Sequence, residues 1–160
     1  MPWTEYFKIK NIIKKVDFTT GNANDYSNYG TDAYFEPYGN IDMSNNKNFL
    51  ILKTTSEGAF SYIEFTVNKN ATLCAKVSST DRGKTSKFVL TKVDGTNEQN
   101  ISPFFHGESA IMEVEGVSGH TLVYKLEAGT TYRFYCTSTD RVGRVMSMTV
   151  YDHVLTEGTK

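Results

Sequence analysis

Five segments of this chain alternate apolar and polar side chains with a period of two: residues 60–67, 71–78, 121–126, 131–136 and 145–151. Successive side chains of a strand point to opposite faces, whereas a helix returns to the same face only every 3.6 residues or about that. The alternation therefore commits these segments to sheet. In the first, Ile63, Phe65 and Val67 share a face. In the others the shared faces carry Leu73, Ala75 and Val77, then Leu122, Tyr124 and Leu126, then Tyr132, Phe134 and Cys136, and finally Met146, Met148 and Val150. Turn formers separate them, notably Asn68-Lys69-Asn70 and Glu127-Ala128-Gly129-Thr130. Shorter strands are expected at Val16–Thr20, Ala33–Glu36, Phe49–Lys53, Lys87–Val93 and Ile111–Glu115, with Phe88 and Leu90 pointing inward. Asp94-Gly95-Thr96 is a strong turn signal, and polar residues 96–109, interrupted by Pro103, read as a long loop. Ile9, Ile12 and Ile13 line a short helix or lead into the first strand. Eight to ten strands with no helix of three turns specify an all-β chain, an antiparallel two-sheet β-sandwich.

One phrase occurs twice. Ser79-Thr80-Asp81-Arg82 and Ser138-Thr139-Asp140-Arg141 each follow a strand that contains a cysteine and each precede another strand. Such turns reverse the chain and present polar groups at one rim. Cys74 alternates against Leu73, Ala75 and Val77, while Cys136 shares parity with Tyr132 and Phe134. Opposite orientations disfavour a bridge between them, so two free thiols are expected.

With 160 residues, 39% of them hydrophobic, the chain is long enough for one domain with a sizeable core. The expected boundaries are an N-terminal extension or lead-in at 1–15, the sandwich at 16–155 and a tail at 156–160. A formal net charge of −1 with scattered cations offers no nucleic-acid footprint. No apolar run approaches the roughly 20 residues that span a bilayer. The opening residues lack the basic start and apolar centre of a signal peptide. The wealth of Tyr, Asn, Thr and Gly suits a bacterial module cut from a larger secreted or cell-surface protein, and that is the expected localisation.

Several segments resemble the small β-sandwich modules attached to secreted polysaccharide-degrading enzymes such as pectate lyases. They are Phe65–Leu73, Ser78–Arg82, Leu122–Leu126 with the following Glu127–Tyr132, and the closing strand Met146–Tyr151. The resemblance covers residues 50–152, roughly, and rests mostly on turns between strands. It implies a jelly-roll sandwich that binds carbohydrate without catalysis, tethered to catalytic or surface-anchoring domains. Its implied partner is a polysaccharide or oligosaccharide, for instance of the plant cell wall. The alternatives are a structural or protein-interaction module of a large extracellular protein and, less favoured, a small glycan-active hydrolase.

Sugar recognition needs flat aromatic faces against pyranose C–H groups and polar groups for the hydroxyls. Residues 21–48 form a long polar stretch, and long loops on a compact scaffold often carry function. Tyr26, Tyr29, Tyr34 and Tyr38 are the densest set of platforms, with Asp25, Asn28, Asp32 and Asn40 beside them. The plainer reading is that these tyrosines pack the loop onto the sandwich. Arg82 and Arg141, if their turns share a rim, form a basic pair for uronate carboxylates, so an acidic ligand is included in the expectation. Pairing with Asp81 and Asp140 is the competing use.

His106, His120 and His153 lack metal-ligand spacing. Asp140 and Asp152 with backbone carbonyls allow a structural calcium, although no loop matches a calcium-binding pattern. No other cofactor is expected. Glu36, Asp42, Glu57 and Glu64 are the carboxylates available for acid–base chemistry, but no catalytic motif accompanies them, and the chain is not expected to be an enzyme.

Overall fold

Alternating segments become a sheet where their registers match, and the matches here are extensive. The computed structural model describes residues 11–18, 34–38, 42–43, 50–52, 61–79, 83–104, 109–137 and 143–154. Among them lie β1 (Ile12–Asp17), β2 (Glu36–Tyr38), β3 (Asp42–Met43), β4 (Leu50–Leu52), β5 (Tyr62–Val67) and β6 (Ala71–Ser78). They are followed by β7 (Thr85–Asp94), β8 (Asn97–Ile101), β9 (Met112–Glu115), β10 (His120–Leu126), β11 (Thr130–Cys136) and β12 (Gly143–Tyr151). Every pairing is antiparallel. The first sheet runs β10-β6-β12-β4-β3, with β1 also on β12, and the second runs β2-β5-β11-β7-β8, with β9 also on β7. The two-sheet β-sandwich is thus as the alternation requires.

The core lies between the sheets and is rich in aromatic rings. Phe65 stacks on Tyr132 with centroids 5.6 Å apart and meets Phe35 edge-on at 5.4 Å. Phe88 lies nearly parallel to Phe134 at 5.7 Å, and Tyr124 meets Phe134 edge-on at 6.5 Å. All six rings are buried. Burying each of the large apolar side chains contributes about 1.5–3 kcal/mol. The buried Tyr132 keeps its hydroxyl satisfied, because the Glu127 backbone N–H donates to it at 2.7 Å across the β10–β11 corner.

Three differences from the sequence reading have physical causes. Two strands, β3 and β8, were not expected. β8 lies inside the segment read as loop; Gly95, at φ +62°, closes a tight hairpin that returns Asn97 opposite Asp94. Its residues Asn97-Glu98-Gln99-Asn100 are exposed at a sheet edge and carry no apolar alternation to reveal them. In β12 the register on β6 shifts between Val145 and Ser147. A bulge opposes two residues to one, so Val145 joins Met148 and Val150 in the core, and Met146 does not. Met146 instead lies beside Gly119 and Lys76, its Sδ 3.1 Å from where a Cβ on Gly119 would sit. At the N-terminal end, Ile12 and Ile13 take the second of their two expected courses, the strand, so that β1 begins before Val16 and ends at Asp17, and its pairing sets Val16 opposite Met148.

Cys136 faces the core, and Cys74 points away from it between Val123 and Thr149. Both are free. Burial pushes the Cys74 thiol up to about 12.

The strand ends flanking the two Ser-Thr-Asp-Arg phrases meet at one rim. Arg144 at the start of β12 pairs with Ser78 at the end of β6, and Cys136 at the end of β11 pairs with Phe88 near the start of β7. Each phrase therefore lies between strands of different sheets. At this rim Gly143 is wedged against the core: a Cβ there would stand 2.5 Å from Cζ of Phe88 and 3.2 Å from Cβ of Cys136. Phe88 is fully buried against Phe134 and has no room to yield. Gly143→Ala should therefore lower unfolding free energy by about 1–3 kcal/mol through overpacking, read as a shifted urea midpoint. Wild-type stability in that variant would contradict the packing described.

Candidate functional site

The outward residues of the second sheet are fixed by the same parity that fills the core. With Ile63, Phe65, Tyr132 and Phe134 inside, the registers place Tyr38, Tyr62 and Tyr135 in one outer row across β2, β5 and β11. Glu36, Glu64, Arg133 and Thr91 form the next row, and Asn100 of β8 extends it. Directly opposed side chains on one face lie within contact distance, and here they interlock.

Tyr38 and Tyr62 stack with centroids 5.1 Å apart and planes 17° from parallel. The Arg133 guanidinium lies over the Tyr62 ring, 4.8 Å from its centroid. Because β2 and β11 flank β5 on opposite edges, Tyr62 is held between the Tyr38 ring and the Arg133 cation. Arg133 Nε donates to Glu64 Oε2 at 2.8 Å, and its Nη1 is 3.7 Å from Glu98 Oε2. Thr91 Oγ1 donates to Glu98 Oε1 at 2.8 Å. At the other end the Tyr38 hydroxyl donates to Glu36 Oε2 at 2.5 Å. Ring, cation and carboxylates thus form a connected line from β2 to β8, each member restrained by its neighbour.

The electrostatics follow from these contacts. The hydrogen bond to Glu36 stabilises the protonated phenol of Tyr38 and pushes its pKa up to about 12, helped by burial and by the Glu36 and Glu64 charges. The hydrogen bond to Glu64 raises the Arg133 pKa further, against the opposing effect of burial. Tyr135 is raised by burial, with Glu98 adding and Arg133 subtracting. The Arg133–Glu64 pair is only partly shielded from solvent, so its bond contributes about 1 kcal/mol or less.

Of the residues singled out by sequence, Tyr38 lies on this face and is 39% exposed. Tyr34 is half-buried, packed against the core and edge-on to Phe35 at 5.0 Å. Tyr26, Tyr29, Arg82 and Arg141 lie outside the described residues, as do Asp25, Asn28, Asp32, Asn40, Glu57, His106 and Asp140. Glu36 and Glu64, read as available carboxylates, are brought opposite each other, but each is engaged, by Tyr38 and by Arg133. Asp42 falls in β3 of the other sheet. Asp152 Oδ2 accepts from Lys69 Nζ at 2.9 Å, so an ammonium group already sits on the carboxylate considered for calcium. His120 contacts the Glu115 carbonyl, and the His153 carbonyl accepts from Thr72. Tyr62, Tyr135, Arg133 and Glu98 were not singled out. The signal for the first three was present: they occupy the outward parity of strands whose inward parity was already read.

No family model matches the sequence, and no curated protein matches it. Solved structures do match the fold. The C-terminal family 22 carbohydrate-binding module of Clostridium thermocellum Xyn10B superposes with a TM-score of 0.56 at 8% identity, over 89% of this chain and 95% of that one. The CBM22-1 xylan-binding domain from Paenibacillus barcinonensis Xyn10C gives 0.52 at 12% identity, over 89% and 94%. The K3 cleaved adhesin domain of Lys-gingipain from Porphyromonas gingivalis gives 0.51 at 12% identity, over 88% and 99%. The chain has the β-sandwich fold of these modules.

The Tyr38–Glu36 contact makes a measurable claim. Ultraviolet titration, read as the difference between wild type and Tyr38→Phe, should show a phenol ionising near pH 12. Glu36→Gln should bring it down toward the ordinary value of about 10. A Tyr38 phenol that ionises near its ordinary value in the wild type would contradict the hydrogen bond.

Proposed function

We propose that the chain is a non-catalytic carbohydrate-binding module whose ligand lies along the outer face of the second sheet. One observation carries this reading: the interlocked line of Tyr38, Tyr62, Arg133 and the carboxylates of Glu36, Glu64 and Glu98. It combines an open aromatic ring with fixed hydrogen-bonding groups on paired strands, which is what binding a hydroxylated ring requires. Tyr62 has both faces covered, so the exposed side of Tyr38 serves as the stacking platform. Glu64, held in place by Arg133, hydrogen-bonds to hydroxyls beside it. The fold it shares with a xylan-binding domain supports a xylan-like polysaccharide as the ligand class. The module would hold a linked enzyme, or an anchored surface protein, near polysaccharide by raising effective concentration. A secreted or cell-surface bacterial protein acting on plant cell walls fits that role. The chemistry assigned to this face needs no cofactor.

The acidic-ligand expectation attached to Arg82 and Arg141 concerns a different place. The strand ends beside both phrases meet at one rim, and a uronate held there would lose affinity with salt and on Arg82→Ala or Arg141→Ala. A second reading, a protein-interaction module, is favoured by the likeness to an adhesin domain.

Titration calorimetry with neutral xylan oligosaccharides tests the proposal. Tyr38→Ala should weaken binding roughly tenfold through loss of ring contact, whereas Tyr34→Ala should lower stability and leave affinity largely intact. If no glycan, neutral or acidic, binds at millimolar concentration, the carbohydrate reading fails and the interaction module takes its place.

A further inference from the structure

The outer face of the second sheet is strongly unbalanced in charge. By register, Glu36, Glu64, Glu98, Glu113 and Glu115 point outward there, while Arg133 and Lys87 are the cations among the described residues of that face. Five carboxylates stand against two cations. Neither cation is well placed to receive an acidic ligand. Arg133 lies flat on Tyr62, with Nε on Glu64 and Nη1 toward Glu98. Its planar fork, the feature that suits arginine to a carboxylate, is directed at two carboxylates of the protein itself. Lys87 is paired in register with Glu113, and both line a hollow of about 450 Å³ that also touches Ser109, Ile111 and Met112.

We infer that this face selects uncharged glycan chains and repels uronate-bearing ones. The inference rests on the reading of the face as a glycan site and adds a specificity that fold and aromatic content do not supply. Arg133 then acts as a positioning residue: it fixes Tyr62 upright and holds Glu64 in place, instead of clasping a ligand carboxylate. Glu36 and Glu64 are the carboxylates nearest the Tyr38 platform, while Glu98, Glu113 and Glu115 stand across the sheet on β8 and β9. At low salt, where the Debye length grows to about 30 Å, a uronate at the platform meets the field of all five. The carboxylates still serve a neutral sugar, since an ionised carboxylate accepts hydrogen bonds from hydroxyls.

The test isolates charge from shape. Three xylan oligosaccharides of equal backbone length are titrated: unbranched, carrying one uronate branch, and carrying that branch as its methyl ester. The protein is the full chain with Arg82→Ala and Arg141→Ala, which removes the rim arginines as a competing acid receptor. At low salt the acid should bind roughly tenfold more weakly than the ester, and the gap should close as salt rises. In the triple variant Glu98→Gln, Glu113→Gln, Glu115→Gln the gap should narrow several-fold at low salt, with an unchanged circular dichroism spectrum. An acid that binds as tightly as its ester at low salt overturns the charge selectivity and leaves the glycan site standing. Failure of all three sugars to bind overturns the site, and the selectivity with it.

Discussion

The register of β11 between β5 and β7 is the constraint on which the rest depends. Its inward residues Tyr132, Phe134 and Cys136 build the core, and its outward residues Thr131, Arg133 and Tyr135 build the polar face. A slip of one residue would exchange the two sets, burying a guanidinium and exposing two aromatic rings. The cost of burying an unpaired cation excludes that alternative. Core packing and site geometry are therefore set by one alignment, and the hydroxyl of Tyr132, bonded to the Glu127 N–H, pins its start.

From that alignment the character of the outer face follows. Antiparallel pairing stands Arg133 between Glu64 and Thr91, and Tyr135 between Tyr62 and Val89. The guanidinium is drawn to Glu64 and Glu98, and its flat side covers Tyr62. Tyr62 in turn supports Tyr38 on the strand β2, where Tyr38 stays exposed. Each group restrains the next, so the binding surface proposed here is organised before a ligand arrives, which reduces the ordering cost of association.

Much of this fold is legible in the sequence, because alternation against a buried face is a strong signal. The segments around Ile63-Phe65-Val67, Leu73-Ala75-Val77 and Leu122-Tyr124-Leu126 lie in strands with those residues inside. What escapes are features without apolar contrast. β8 is a polar edge strand held by its hairpin, and the bulge that turns Met146 out of the core depends on tertiary register. The candidate site was partly legible. Tyr38 and the carboxylates Glu36 and Glu64 stood out as residue types, but their convergence with Arg133 depends on strands β2, β5 and β11 being neighbours. The tyrosines of residues 21–48 are the denser aromatic signal in the sequence, whereas Tyr62, Arg133 and Tyr135 are spread over two strands far apart in it.

The central claim is that a glycan lies on the outer face of the second sheet. Heteronuclear NMR of the labelled protein, titrated with a neutral xylan oligosaccharide, tests it most directly. The account predicts progressive shifts concentrated at Tyr38, Tyr62, Glu64, Arg133, Tyr135 and Glu98, with little change at Cys74, Lys76 and Thr149 on the outside of the first sheet. Shifts confined to that first sheet, or to the rim around Ser78 and Arg144, would contradict it.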